Sequence, residues 1–262
     1  MKVRLGVSTS CLYPLETEKA LLKVVQNGCE VTEVFFNAAC ELENGFIKQL
    51  KEIVGNFETE IVSVHPTMSL AESFVLFSGY DRRYREGLEQ YKRYAEIASE
   101  LGAKYIIMHG GKPNGVLSDE QYFERFCEIA GAVRQNGAVL LQENVAKYRA
   151  SDLEFLKKMR GYDESISFCL DVKQAIRGGN SPYDVIKALG SAVKHLHLSD
   201  SNSQYDCMLP LSGTFDFAGF IKCAADNGFC GDAVIEVYKK SFDTDAQLFG
   251  SFNGLKKITK NF

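Results

Sequence analysis

The feature that most constrains this 262-residue chain is a strict alternation, eight times over, of short apolar strand-like runs with helical patterns. The strand-like runs fall at 3–9, 31–37, 61–67, 105–111, 138–144, 166–172, 193–199 and 233–238. They are β-branched and apolar, as expected of parallel strands covered on both faces. Helical periodicity follows each of them, near 16–27, 44–56, 81–101, 118–135, 151–160, 182–189, 215–227 and 244–257. Ser118-Asp119-Glu120 reads as a helix start, and Gly28, Gly102, Gly137 and Gly228 stand where helices should end before the next strand. An unbroken series of β-α units requires a parallel sheet with right-handed crossovers. Units averaging about 33 residues match a single α/β domain of the (β/α)8 TIM-barrel type better than a doubly wound open sheet. No Pro/Ser-rich linker or low-complexity tract divides the sequence, which predicts one domain over 1–262.

Composition narrows the function classes. A hydrophobic content of 45% with 24% charged residues describes a globular protein, and a net charge of −4 argues against a broad basic surface for nucleic acid. Arg82-Arg83, Arg85 and Lys92-Arg93 alternate with Glu86 and Glu89, which reads as a solvated helix face. The opening MKVRLGVSTS has the alternation of a strand, and no stretch approaches the roughly eighteen apolar residues of a membrane span, so a cytoplasmic location is expected. Eight cysteines without a CxxC pair, several inside apolar runs such as Phe168-Cys169-Leu170, read as reduced thiols.

All four histidines lie at, or two residues from, the C-terminal end of an expected strand: His65 in IVSVHP, His109 in YIIMHGG, His195 and His197 in VKHLHLSD. Carboxylates take the same place on other late strands, with Glu143 in VLLQEN, Asp171 in SFCLDV and Glu236 in AVIEVY. In a barrel the C-terminal strand ends converge on one mouth. That brings together His65, His109, Glu143, Asp171, His197 and Glu236, one from each of strands three to eight. Three or four N/O ligands hold a divalent ion, and a carboxylate between two ions bridges them. His195 and His197 share one side of their strand; His197, nearer the mouth, is the expected ligand and His195 a supporting group. Other polar residues stay open at this point. Glu33 in VTEVFFN is expected to point towards the rim of strand two, as a substrate-hydroxyl contact or a structural group. Asp200 is a helix cap, a support for the ligands or a substrate contact. Lys173 and Gln174 are substrate contacts or solvated loop residues, and Gly110-Gly111 is a phosphate cradle or a tight turn.

The ordered set Ser63-Val-His65-Pro, Met108-His109-Gly-Gly, Leu141-Gln-Glu143-Asn, Leu170-Asp171, Leu196-His197-Leu-Ser-Asp200 and Ile235-Glu236 resembles the xylose isomerase-like TIM barrels. That superfamily includes sugar isomerases and epimerases, inosose dehydratases and endonuclease IV, the AP endonuclease family 2. The resemblance spans essentially the whole chain. The ketose 3-epimerase pattern of Glu, Asp, His and Glu falls on Glu143, Asp171, His197 and Glu236. In those epimerases the two glutamates are both metal ligands and acid/base groups. The endonuclease IV pattern adds His65 and His109 for another zinc, with Glu143 as the bridge. Its third zinc needs histidines where this chain has Gln174 and Met208, neither a good substitute for imidazole. The epimerases also use a histidine at the place of Gln174.

The resemblance thus implies a metal-dependent isomerase or epimerase of a small sugar, sugar phosphate or polyol, with Glu143 and Glu236 as proton-transfer groups. One or two divalent ions per chain are implied: Mn or Mg suit the carboxylate-rich set, Zn the histidine pair, and Co also falls within range. The alternatives are an endonuclease IV-like phosphodiester hydrolase and a degenerate barrel that binds a sugar without turning it over. A homo-oligomer stays open.

Overall fold

Each short apolar run of the sequence pairs with its neighbours in chain order, and the last pairs with the first, so the sheet closes. The computed structural model describes residues 3–69 and 71–260. The strands are β1 (Leu5–Ser8), β2 (Val31–Phe35), β3 (Glu60–His65), β4 (Tyr105–Met108), β5 (Val139–Glu143), β6 (Ser167–Asp171), β7 (Val193–Leu198) and β8 (Asp232–Ile235). All pair in parallel in a closed barrel, β1 meeting β8 with Gly6 opposite Val234. The result is a (β/α)8 TIM barrel, as the alternation predicts. At Gly6 the strands approach so closely that a Cβ would stand 1.8 Å from the Val31 carbonyl oxygen, so only glycine fits.

The outer helices run Thr17–Gln26, Asn44–Gly55, Asp81–Leu101, Asp119–Arg134, Leu153–Tyr162, Pro182–Leu189, Phe217–Asp226 and Asp245–Thr259. Ser118 caps its helix in a reciprocal box with Gln121, and Gly102 closes the longest helix at φ +72°. Helix faces carrying Leu21, Phe126, Phe220 and Phe252 bury against the outward residues of the strands, forming the main apolar core. No helix among the described residues is long and apolar enough to cross a membrane. All eight cysteines are unpaired.

Inside the barrel the side chains change character along the strands. Ile107, Leu141 and Cys169 form a small apolar cluster apart from the main core. Two residues further along, period two brings His109, Glu143 and Asp171 towards the mouth. Below the barrel, Arg4 closes the seam: its guanidinium donates to both carboxylate oxygens of Asp232 (2.7 and 2.9 Å) and pairs with Glu60 at 2.8 Å.

Strand ends differ from expectation in a way that matters for the site. The fourth and eighth strands stop at Met108 and Ile235, not at 111 and 238, so His109 and Glu236 are the first residues beyond their strands. Gly110, at φ +86°, turns the chain out of the ladder. Two short helices, Glu72–Val75 and Val172–Arg177, had no periodic signature and sit directly on the mouth. Asp171 caps the second, accepting from the Gln174 amide at 2.8 Å.

Candidate metal centre

The C-terminal strand ends bring two overlapping donor sets together: Glu143, Asp171, His197 and Glu236, and His65, His109 and Glu143. Within each set the ligand atoms lie within 4.8 Å of one another. His197 Nδ1 stands 3.3 Å from Glu236 Oε2, 3.5 Å from Glu143 Oε1 and 3.8 Å from Asp171 Oδ2. Its other nitrogen, Nε2, lies 3.1 Å from Glu33 Oε2. A carboxylate at Nε2 fixes the ring and directs the Nδ1 lone pair at the three acids, the support that metal-binding histidines need. In the second set Glu143 Oε2 is 3.1 Å from His109 Nε2 and 3.7 Å from His65 Nε2, and the two imidazole nitrogens are 3.1 Å apart. Ser69 Oγ donates to the Pro66 carbonyl (2.6 Å) and accepts from His65 Nδ1 (2.8 Å), leaving His65 Nε2 as a lone pair facing the set. Glu143 thus serves both sets, one oxygen to each.

These donors fit a divalent ion. Glu143 Oε2, Asp171 Oδ2 and His197 Nδ1 are buried without a hydrogen bond, although ion-pair contacts surround them. Three carboxylates this close repel unless cations lie among them, and of the three the Lys173 ammonium pairs with Asp171 and Glu236. Bond lengths near 2.1 Å place neighbouring donors about 3.0–3.5 Å apart, close to the spacings around His197. The titration shifts carry the same message. Burial pushes Asp171 up to about 7, with Glu236 and Glu143 adding to the rise against the pull of Lys173. Burial opposes charge on Glu143, but His109 outweighs it and holds Glu143 well below the usual carboxylate range. His109 rises to about 9 because Glu143 overcomes the same burial cost. The cluster therefore sheds its surplus negative charge at Asp171, the carboxyl that most readily takes up a proton.

Above the donors opens a cavity of about 570 Å³. His65, His109, Glu143 and Glu236 form its floor, and Lys173 and Gln174 line it. Gln174 Oε1 accepts from the Ala146 amide at 3.1 Å, tying the β5 and β6 loops together. Lys173 Nζ lies 2.9 Å from Asp171 Oδ2 and 3.0 Å from Glu236 Oε2. The walls include Tyr13, Phe35, Tyr148 and Tyr238, which sequence reasoning missed. The signal available was an aromatic a few residues past a strand end, as in ENVAKY and IEVYKK. Asn144 was also missed: it accepts from the Asp171 amide (2.7 Å) and donates to the Asp171 carbonyl (3.0 Å).

Two expectations need correction, and the open reading of Gly110-Gly111 resolves to a tight turn. Glu33 does not reach the rim: it is fully buried below the donors, accepting from Ser8 (3.2 Å) and Ser63 (2.8 Å) beside His197. A register shift between Thr32 and Glu33 accompanies this placement. Asp200 does not face the cavity either; its oxygens accept from the amides of Ser201, Gly213 and Phe215, and so it pins the loop after β7. Gly110-Gly111 offers no phosphate cradle, because the Gly110 amide donates to Glu72 (2.7 Å) and the Gly111 amide to Tyr122 (3.3 Å). His195 is fully buried, with Nε2 3.3 Å from Ser63 Oγ. In the loop after β7, Asp206 is held by both arms of Arg177.

Comparison with known proteins agrees with this architecture. The family described as xylose isomerase-like TIM barrel matches residues 21–257. An uncharacterized protein of Mycobacterium tuberculosis is 22% identical over 91% of this chain and 90% of its own length. A probable endonuclease 4 of Thermotoga maritima is 28% identical, but over only 48% of this chain and 50% of its own. Among solved structures, a D-tagatose 3-epimerase-like protein superposes with a TM-score of 0.81 at 21% identity, covering 98% of this chain and 97% of that one.

Proposed function

The chain belongs to the xylose isomerase-like TIM barrel family, and from that premise we propose that it is a metal-dependent isomerase or epimerase of a small sugar or polyol. The observation that carries the reading is His197 Nδ1, aimed at three carboxylates and oriented from behind by Glu33. Glu143, Asp171, His197 and Glu236 would hold the principal ion; His65 and His109 complete a second set or meet the substrate. A bound divalent ion supplies Lewis acidity, which makes the C–H beside a sugar carbonyl easier to ionise.

The remaining chemistry falls to the protein. Glu143 and Glu236 both border the cavity floor, so each can reach a sugar seated there. One removes a proton from carbon and the other returns one, the division of labour that general acid–base catalysis needs. Aromatic walls from Tyr13, Tyr148 and Tyr238 suit the apolar faces of a sugar ring and exclude water from the reacting carbon. The amides of Gly110 and Gly111 are occupied and among the described residues no arginine lines the cavity, which favours an unphosphorylated sugar or polyol. Incubating the manganese-loaded protein with ketoses and polyols in deuterated water tests the reading: deuterium should appear at the carbon beside the carbonyl. Absence of exchange across the panel overturns it.

A second reading, a phosphodiester hydrolase, is favoured by the His65–His109–Glu143 set and by the half-length likeness to the Thermotoga endonuclease. Cleavage of an abasic-site duplex without exchange into any ketose is the outcome that would select it.

A further inference from the structure

We propose that Lys173 is a built-in cation that competes with the metal ion for Asp171 and Glu236, and that ion binding releases its ammonium into the substrate cavity. The inference rests on reading the four-donor set as a metal site. Asp171 Oδ2 and Glu236 Oε2, which face His197 Nδ1 at 3.8 and 3.3 Å, are the same atoms that Lys173 Nζ contacts at 2.9 and 3.0 Å. Half of the principal donor set is therefore already neutralised by the chain itself. The second set has no such ammonium: among the described residues no lysine or arginine pairs with His65, His109 or the Glu143 oxygen that faces them, and that oxygen pairs with His109 itself at 3.1 Å.

The position of Lys173 follows from the local fold. Asp171 ends β6 and caps the helix Val172–Arg177, so the first turn of that helix folds back over the strand end. Lys173, two residues on, is 3% exposed and directed at the acids. Burying an ammonium without partners is very costly, and here two carboxylates offset that cost. An ion entering the four-donor set brings two positive charges to the same oxygens and repels the ammonium. The free volume lies on one side, in the cavity that Lys173 lines beside the Tyr238 ring, whose centroid is 5.3 Å from Nζ. There the ammonium can donate to a substrate hydroxyl. Ion loading and presentation of a cationic donor thus become one event.

Two measurements test this. In the wild-type protein, amine acetylation read by mass spectrometry should leave Lys173 protected without metal and modify it once Mn²⁺ is bound. In Lys173→Met, Mn²⁺ affinity followed by electron paramagnetic resonance should rise on the order of tenfold. Its thermal midpoint should fall without metal and be raised by Mn²⁺ more than in wild type, because the acids have lost their internal partner. Equal Mn²⁺ affinity in the two proteins, or Lys173 still protected at saturating Mn²⁺, overturns the inference while leaving the metal reading intact. Failure of wild type and Lys173→Met alike to bind Mn²⁺ removes the metal reading, and the inference with it. Should the Met variant not fold, the labelling of wild type decides alone.

Discussion

The two ends of the barrel handle buried charge in opposite ways. At the N-terminal end Arg4 donates to both oxygens of Asp232 and reaches Glu60, so each charge has an opposite partner. At the C-terminal end three carboxylates crowd one imidazole nitrogen, and Glu143 Oε2, Asp171 Oδ2 and His197 Nδ1 accept no hydrogen bond. Arg4 matches the acids of the seam, whereas at the mouth Lys173 pairs with Asp171 and Glu236 yet leaves those three atoms without a hydrogen bond. The contrast matters because leaving buried polar atoms unmatched lowers stability, and a fold retains such a cost where function uses it.

The largest break in that contrast should come from Glu143→Gln, which touches both donor sets. Exchange of solvent deuterium into the substrate is expected to fall about 10²–10⁴-fold, the usual contribution of a general acid or base. Mn²⁺ should be lost from the protein by elemental analysis. Full exchange in this variant contradicts the acid/base assignment. Glu33→Gln acts one layer deeper, where it removes the carboxylate that orients His197. Ion affinity should weaken about 10–100-fold by calorimetry, with the circular dichroism spectrum unchanged. An unaltered affinity would show that Glu33 merely fills the floor.

A smaller effect comes from pH. Asp171 sits at about 7, raised from its ordinary value by burial, so the folded protein holds a proton that the unfolded chain has lost. Without metal, stability should therefore fall as pH rises from about 4 towards 7. Ion binding must displace that proton, so Mn²⁺ affinity should climb roughly tenfold between pH 6 and 8. A flat affinity profile over that window would count against Asp171 as a ligand. The smallest effect on the mouth is expected from the other end of the molecule. Arg4→Met should cost about 1–3 kcal/mol of stability in urea unfolding, because Asp232 loses a charged partner. Its Mn²⁺ affinity should match wild type; a change there would mean that the two ends are not separable.

Much of this was legible in the sequence because it depends on period and order. Eight β-α units dictate the barrel, and the barrel dictates that strand-end residues meet, so Glu143, Asp171, His197, Glu236, His65 and His109 gather as expected. What was not legible depends on direction. Glu33 and Asp200 read in sequence like any strand-end carboxylate. A register shift beside Glu33 and three loop amides around Asp200 take them away from the cavity, and neither device leaves a periodic trace. The same holds for Lys173, whose place among the acids depends on a six-residue helix with too few turns to show a pattern. Tyr13, Tyr148 and Tyr238 lie in loops, where spacing carries no information about which side chains converge.

The central claim is that the unsatisfied donors at the mouth hold an ion. Crystals soaked in saturating Mn²⁺ and measured at the manganese absorption edge test it most directly. An anomalous peak bonded to Glu143, Asp171, His197 and Glu236 is the predicted result; a map with no peak among those four residues would contradict it.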